Sequence, residues 1–232
     1  ITVNSNANVT FSDATQLTVQ AINVGTNGTV SINSAFANHP NLVAQGGTTY
    51  VNTDQVTFAS ITLGTTGTAT LTTSGFSGTW GGSSYSPSPA AGNGQLILNV
   101  DGDVNVGSYG TIHMNAKGYA GGSGQNQEGY SLSGQGSDGA GRLPSNNDWG
   151  AAGGGSYATA GGAWGDRTGT VYGASDFWTE LYLGSGGAGT GCQAGTATGG
   201  GAIKITATNF INSGTVSSDG GTANNNCNGG SY

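Results

Sequence analysis

The sequence predicts an all-β protein, built of β-solenoid or β-sandwich strands with a glycine-rich, polyproline-II-like insertion and essentially no α-helix. Of its 232 residues, 47 are glycine and only 6% are charged, whereas a typical soluble domain is about a quarter charged. No stretch carries an apolar stripe at helical spacing backed by charges. Segments rich in Val, Ile and Thr instead alternate apolar and polar residues, which is the period of a half-buried strand. We therefore expect strands throughout.

Residues 1–90 read as an N-terminal β region. The segments INVGTNGTVSI (residues 22–32) and ITLGTTGTATL (residues 61–71) share one pattern of apolar, Gly and Thr positions. The pair Asn27-Gly28 is a strong signal for a two-residue hairpin. The same glycines are also typical of a solenoid corner, so hairpins and solenoid rungs are both open here.

Residues 95–232 read as β rungs that enclose a glycine-rich insertion over residues 118–201. Two similar β blocks, residues 95–117 and 202–219, flank the insertion, in which 27 of 84 residues are glycine. Glycine has no side chain to bury and loses the most conformational freedom on folding, so packing must come from the backbone. We expect short extended polyproline-II-like segments that bond to one another, and long ordered surface loops are the alternative.

Two cysteines, Cys192 and Cys227, lie in the C-terminal part. We expect them to form one disulfide outside the cytoplasm, and two free thiols are the alternative. The net charge is −7 with four basic residues, which argues against nucleic acid as a partner because phosphate binding needs clustered Lys and Arg. No apolar run is long enough to span a membrane.

The second half resembles a known type of surface protein. The stretches QLILNVDGDVNVGSYGTIHMNAKGYAGGSGQ (residues 95–125) and GGGAIKITATNFINSGTVSSDGG (residues 199–221) resemble glycine-rich bacterial surface proteins with filamentous-haemagglutinin-like β-solenoid rungs. The insertion is similar in character to the polyglycine-II tips of phage tail-fibre adhesins. The resemblance implies an extracellular or surface role, with β rungs that hold a glycine-rich layer, and it implies no catalytic residue.

A search for chemistry finds few candidates, and we expect no enzyme. Asp101 and Asp103 flank a glycine and could bind calcium through oxygen ligands, although Asp also favours turns without any metal. We expect no other cofactor. Five aromatic residues of the insertion could contact sugars or cover the glycine segments instead: Trp149, Trp164, Trp178, Tyr130 and Tyr172.

These observations favour a structural subunit of an extracellular filament or cell-surface assembly, a homopolymer that self-associates by β-strand addition. The strand expected to assemble is the N-terminal one, with Ile1, Val3, Val9 and Phe11, because the sequence shows no local hairpin partner for it. The alternative is a surface adhesin that binds glycans through aromatic, Asn and Asp residues of the glycine-rich loops.

Overall fold

The computed structural model describes residues 1–4, 6–81, 84–122, 128–131, 134–135, 180–188 and 197–222. These residues form no α-helix, in agreement with the sequence, and thus offer no helix that could span a membrane. Their strands, in chain order, are β1 Thr2–Val3, β2 Asn8–Phe11, β3 Ala21–Val24, β4 Thr29–Ile32, β5 Asn41–Ala44, β6 Gly47–Val51, β7 Thr57–Phe58, β8 Ser60–Leu63, β9 Ala69–Thr72, β10 Thr79–Trp80, β11 Tyr85–Ser86, β12 Ala90–Ala91, β13 Gly94–Val100, β14 Asp103–Val106, β15 Gly110–His113, β16 Tyr130–Ser131, β17 Gly134–Gln135, β18 Ala202–Thr206, β19 Asn209–Asn212 and β20 Thr215–Ser217.

Two parallel six-stranded sheets organise the fold. The first sheet has the order β1-β3-β5-β8-β14-β19, and the second has the order β2-β4-β6-β9-β15-β20. Each first-sheet strand is followed along the chain by its second-sheet strand, and we call each such pair a rung, from the first (β1 and β2) to the sixth (β19 and β20). A third sheet joins β12, β13 and β18, and β7 also pairs with β13. This is a β-solenoid-like fold.

Side chains at equivalent positions of successive rungs form columns, and the inward columns make the core. In the first sheet one inward column runs through Ile22, Leu42, Ile61 and Val104, and all four side chains are fully buried. The neighbouring residues along each strand are more exposed, as the two-residue period of a strand requires. The alternation seen in the sequence is therefore the alternation between core and outer surface.

Glycines turn the chain between the first and second sheets. Gly47 and Gly64 have φ angles of +65° and +59°, a region that glycine enters at little cost. A Cβ at either position would also overlap the backbone of an adjacent rung, at Gly28 and Gly110 respectively. Close rung-to-rung approach and a left-handed turn thus both require glycine at these corners.

The hairpin interpretation of Asn27-Gly28 is wrong. β3 and β4, on either side of this pair, lie in different sheets and bond to other rungs instead of to each other. Asn27 has a φ of 56° and belongs to a solenoid corner. Residues 1–90 and 95–222 also share both sheets, because β8 pairs with β14 and β9 with β15.

Contacts divide the chain into two units. The solenoid unit comprises Ile1–Ser74, Ala90–Met114 and Ile203–Ser217. The glycine-rich unit comprises Gly75–Pro89, Asn115–Ala202 and Ser218–Tyr232. The predicted boundary near residue 90 therefore falls between two parts of the solenoid unit, whereas the predicted insertion 118–201 belongs to the glycine-rich unit.

Backbone hydrogen bonds connect short segments of the glycine-rich unit. Segment 118–122 bonds to several other segments. The Gly118 N–H donates to the Gly199 carbonyl at 2.7 Å, and the Ala120 carbonyl accepts from the Tyr130 N–H at 2.9 Å. The N–H groups of Tyr119 and Gly122 donate to the carbonyls of Gly184 and Gly187, at 3.0 and 2.9 Å. Tyr119 and Gly122, which are three residues apart, thus bond to the same neighbouring segment. These two bonds to one segment are separated by three residues along the chain.

Candidate functional site

The sixth rung ends the solenoid unit with apolar side chains in solvent. Phe210 and Val216 are 47% and 38% exposed, although they continue the columns of Val104 and Ile112, which are fully buried. The reason is positional: within the described residues, no strand pairs with the outer side of β19 or β20. Ile211, on the outward face, is 50% exposed.

Among the strands that the structure describes, the backbone of the sixth rung has an open hydrogen-bonding edge. Along a parallel strand, successive residues direct their N–H and C=O groups to opposite sides. The Ser213 N–H donates to the Val106 carbonyl at 2.7 Å, and the Ser217 carbonyl accepts from the Met114 N–H at 2.9 Å. Residues that alternate with these, Phe210 and Val216 among them, therefore direct their backbone groups away from the fifth rung.

The predicted assembly strand, residues 1–11, does not lack a partner in its own chain. It forms two strands, and these pair in parallel with β3 and β4 as the first rung of the solenoid unit. Val3 and Phe11 are buried and Val9 packs against the core, while Ile1 is 47% exposed. The sequence showed no hairpin partner because the partners are parallel strands about 20 residues further along. Only the outer edge of this rung is open among the described residues.

Asp101 and Asp103 have separate partners. The Asp101 carboxylate lies 2.6 Å from the His39 Nδ1, whereas the Asp103 carboxylate accepts a hydrogen bond from the Asn209 side-chain amide at 2.7 Å. The described part of the chain holds no group of three His, Cys, Asp or Glu side chains that could bind a metal. Calcium binding at these residues stays a prediction.

Of the five candidate aromatic residues, Tyr130 alone falls within the described residues, and it packs in the glycine-rich unit. It lies against a buried cluster that includes Tyr85 and Tyr119, whose rings stack with centroids 5.0 Å apart. Burial raises the pKa of both Tyr85 and Tyr119 above the usual value of 10. Tyr130 thus packs against this cluster, and sugar contact by Tyr130 stays a prediction. Outside the described residues lie Trp149, Trp164, Trp178, Tyr172, Cys192 and Cys227.

An uncharged groove crosses the corners of the second, third and fourth rungs. Its cavity volume is about 670 Å³, and its lining consists of Thr26, Asn27, Gly28, Thr29, Gln45, Gly46, Gly47, Thr48, Gly67, Thr68 and Thr70. Hydroxyl groups, amides and backbone atoms can bind a neutral polar ligand, and no side chain in this lining is charged.

Three of the groove threonines belong to a column that sequence reasoning missed. Thr29, Thr48, Thr70, Thr111 and Thr215 occupy the same outward position in five successive rungs. The insertions between rungs break the constant spacing that would reveal a ladder in the sequence. The signal that could have found it is the Gly-Thr pair at the start of most second-sheet strands.

The described residues define an all-β, solenoid-like fold in which the two long sheets have no further strand beyond the first and sixth rungs. Comparison with known proteins adds no relative, since no family model, no curated protein and no solved structure matches the chain. The resemblance to bacterial surface proteins stays a prediction.

Proposed function

We propose that this protein is a structural subunit of an extracellular filament or cell-surface assembly, and that it self-associates by adding strands to its sheets. The observation that carries the proposal is the sixth rung, where two parallel sheets end in open edges with Phe210, Ile211 and Val216 exposed. An open edge strand is a template for pairing with another chain, and monomeric proteins usually protect such edges with charges, proline or bulges. β19 and β20 contain no charged residue and no proline.

The energetic gain from covering this rung supports assembly. Full burial of a large apolar side chain contributes about 1.5–3 kcal/mol. Three side chains that are already about half buried would together add about 3 kcal/mol. Backbone hydrogen bonds between the sheets would add to this gain, and the sum has to exceed the translational and rotational entropy lost on association.

The glycine-rich unit fits a structural role as a packed bundle of polyproline-II-like segments. Its support is the three-residue separation of the two bonds from segment 118–122 to one neighbouring segment, since polyproline II has three residues per turn and no internal hydrogen bonds. Glycines at the contacts allow backbones to touch: a Cβ at Gly186 would overlap the Ala120 carbonyl, and one at Gly118 would overlap the Gly200 carbonyl. Backbone contacts of this kind would add to the order that the buried aromatic cluster provides.

Placement outside the cell rests on the low charge, the two cysteines and the surface-protein resemblance. A chain with 6% charged residues and a disulfide would suit an oxidising compartment. Non-reducing mass spectrometry of secreted protein would test this placement, because two free thiols at Cys192 and Cys227 would contradict it.

The test of assembly is charge placed on the open rung. We expect the wild-type protein to form filaments in negative-stain micrographs and to sediment with a concentration-dependent distribution. The double variant Phe210→Asp/Val216→Asp should remain monomeric, because two carboxylates would have to be buried in the contact. The matched control is Tyr109→Asp, which replaces a side chain that is 57% exposed at a rung corner and should still assemble.

A monomeric wild-type protein at all concentrations would contradict the proposal. Equal assembly of all three proteins would also contradict it, since the sixth rung would then have no part in the contact. Far-UV circular dichroism of each variant checks that the strands remain.

A glycan adhesin is the second candidate, favoured by the uncharged groove. A volume of about 670 Å³ is in the range of small-molecule sites, and its hydroxyl and amide groups suit a neutral sugar chain. A glycan array tests this function, with Asn27→Ala as the groove variant. Selective glycan binding by the wild-type protein that is lost in the variant would support the adhesin function. Absence of glycan binding by the wild-type protein would contradict it.

A further inference from the structure

We infer that the sixth rung of one copy pairs with the first rung of the next copy, so that every subunit in the assembly points in the same direction. The inference rests on the proposed function, and it specifies the partner surface and the register. Both parallel sheets would then continue from copy to copy without a change in strand direction.

The first argument is which residues of the first rung direct their backbone N–H and C=O groups to its open side. The carbonyl groups of Ile1 and Val3 accept bonds from the N–H groups of Asn23 and Gly25, at 2.8 and 2.9 Å. These residues therefore face the second rung. By alternation, the backbone groups of Thr2 face the open side of the first sheet.

In the sixth rung, the complementary set of residues directs its backbone N–H and C=O groups to the open side. In the first sheet, the inward residues Val104 and Val106 direct their backbone groups toward β19, as the bond from the Ser213 N–H to the Val106 carbonyl shows. The next inward residue in the same column, Phe210, directs its groups to the open side. The open edge of the sixth rung thus presents the backbone groups of inward-facing residues, and the open edge of the first rung presents those of outward-facing residues. Successive rungs inside the chain pair through the same two kinds of edge.

The columns fix the register of the contact. Phe210 continues the column that includes Ile22, and Ile1 precedes Ile22 in that column, so Phe210 is expected opposite Ile1 of the next copy. Both side chains are 47% exposed and would become buried together. In the second sheet the same reasoning places Val216 opposite Val9.

The alternative contact is between two sixth rungs related by a two-fold axis. Such an isologous contact uses the same surface on both copies and makes a closed dimer. A head-to-tail contact between two different surfaces leaves a free surface at each end and can form an open polymer. The isologous contact would also place β19 antiparallel to its copy, and every described pair within the two long sheets is parallel. The head-to-tail contact extends both sheets in the geometry they already have.

Cysteine pairs test the register directly. Paired strands lie about 4.8 Å apart, and that separation suits a disulfide between residues in one outward column. Thr2 and Ile211 would share such a column across the contact. We expect an equimolar mixture of Thr2→Cys and Ile211→Cys proteins to give a disulfide-linked dimer under mild oxidation, and neither protein alone to give one. The double variant should give a ladder of covalent oligomers.

Matched controls separate geometry from chance collision. Thr62→Cys/Asn105→Cys joins two neighbours of the same outward column inside one chain, and an internal disulfide there shows that the column geometry permits the bond. A mixture of Thr2→Cys and Ser217→Cys proteins should not link, because these residues lie in different sheets. Cys192 and Cys227 remain in all variants, and mass spectrometry of the linked peptides identifies which cysteines have reacted.

The outcomes distinguish this inference from the proposed function. Filaments with a link between residues 2 and 211 support both. Filaments in which Ile211→Cys links only to itself overturn the head-to-tail contact and leave the structural function standing. Filaments with no link at residue 211, while the internal control forms, also overturn the inference. Monomers at every concentration overturn both proposals.

Discussion

Replacement of Gly199 by alanine tests whether backbone contact holds the glycine-rich unit together. A Cβ at Gly199 would overlap the Gly184 carbonyl, and this obstacle is main chain, which no side-chain rotation can remove. The segments that carry Gly184 and Gly199 would have to separate. We expect Gly199→Ala to destabilise this unit.

The magnitude follows from the hydrogen bonds at the contact. Gly199 donates to the Tyr119 carbonyl and accepts from Gly118, at 2.9 and 2.7 Å, while Gly184 donates to the Gly200 carbonyl and accepts from Tyr119, at 2.8 and 3.0 Å. A net contribution of about 1 kcal/mol per bond gives a loss of about 2–4 kcal/mol, depending on how many of the four bonds break.

Urea unfolding followed by tyrosine fluorescence is the assay, because Tyr85 and Tyr119 lie in the buried cluster of this unit. The control is Gly220→Ala, where the nearest atom to a new Cβ is the Thr198 carbonyl oxygen at 3.4 Å, an ordinary contact. Equal unfolding free energies for Gly199→Ala and Gly220→Ala would refute the reasoning, since a unit built on side-chain burial would not distinguish the two glycines.

Three further predictions concern the core, alkaline pH and cavity formation. The Thr49 hydroxyl is buried and has no hydrogen-bond partner among the residues that the structure describes, so Thr49→Val should raise the unfolding free energy by about 1–2 kcal/mol. Thr48→Val on the outer face should change it by less than about 0.5 kcal/mol. The pKa of the Tyr119 phenol is raised in the folded state, so above the unfolded pKa of about 10 this phenol ionises only in the unfolded chain. Stability should therefore fall as pH rises above that value. Thermal melts between pH 9 and about 11 should show a smaller fall for Tyr119→Phe than for the wild-type protein. Ile61→Ala removes a fully buried side chain and should cost about 2–5 kcal/mol in urea unfolding, and a smaller loss would mean that the rungs collapse around the cavity.

The strands could be predicted from the sequence because side chains of a strand point alternately to its two faces, so a buried face places apolar residues at every second position. Leu96, Leu98 and Val100 recur at every second position and face the core, and the residues between them, including the apolar Ile97, are less buried. The corner at Asn27-Gly28 could not be assigned, since a hairpin and a solenoid corner both need residues that tolerate positive φ, and only the pairing of the flanking strands decides between them. That pairing is a long-range property.

The open sixth rung was equally hidden in the sequence. Phe210 and Val216 are apolar residues of segments that read as strands, so the sequence predicts their burial. Their exposure arises only because no described strand follows them in space. The first rung shows the converse. Residues 1–11 have no hairpin partner in the sequence because their partners are parallel strands, and parallel strands are not joined by a short turn that a sequence pattern could reveal.

The pairing of β14 with β19 has a consequence for the order of folding. Asp103 pairs with Asn209, a separation of 106 residues, whereas Asn23 pairs with Val43, a separation of 20. Loop closure costs about (3/2)RT ln n, so the longer connection adds about 1.5 kcal/mol before any contact forms, and distant pairing slows folding. We expect the first four rungs to nucleate early and the sixth to close last. The sixth rung, which is the proposed contact surface for the next copy, would then form only after the glycine-rich segments have been synthesised.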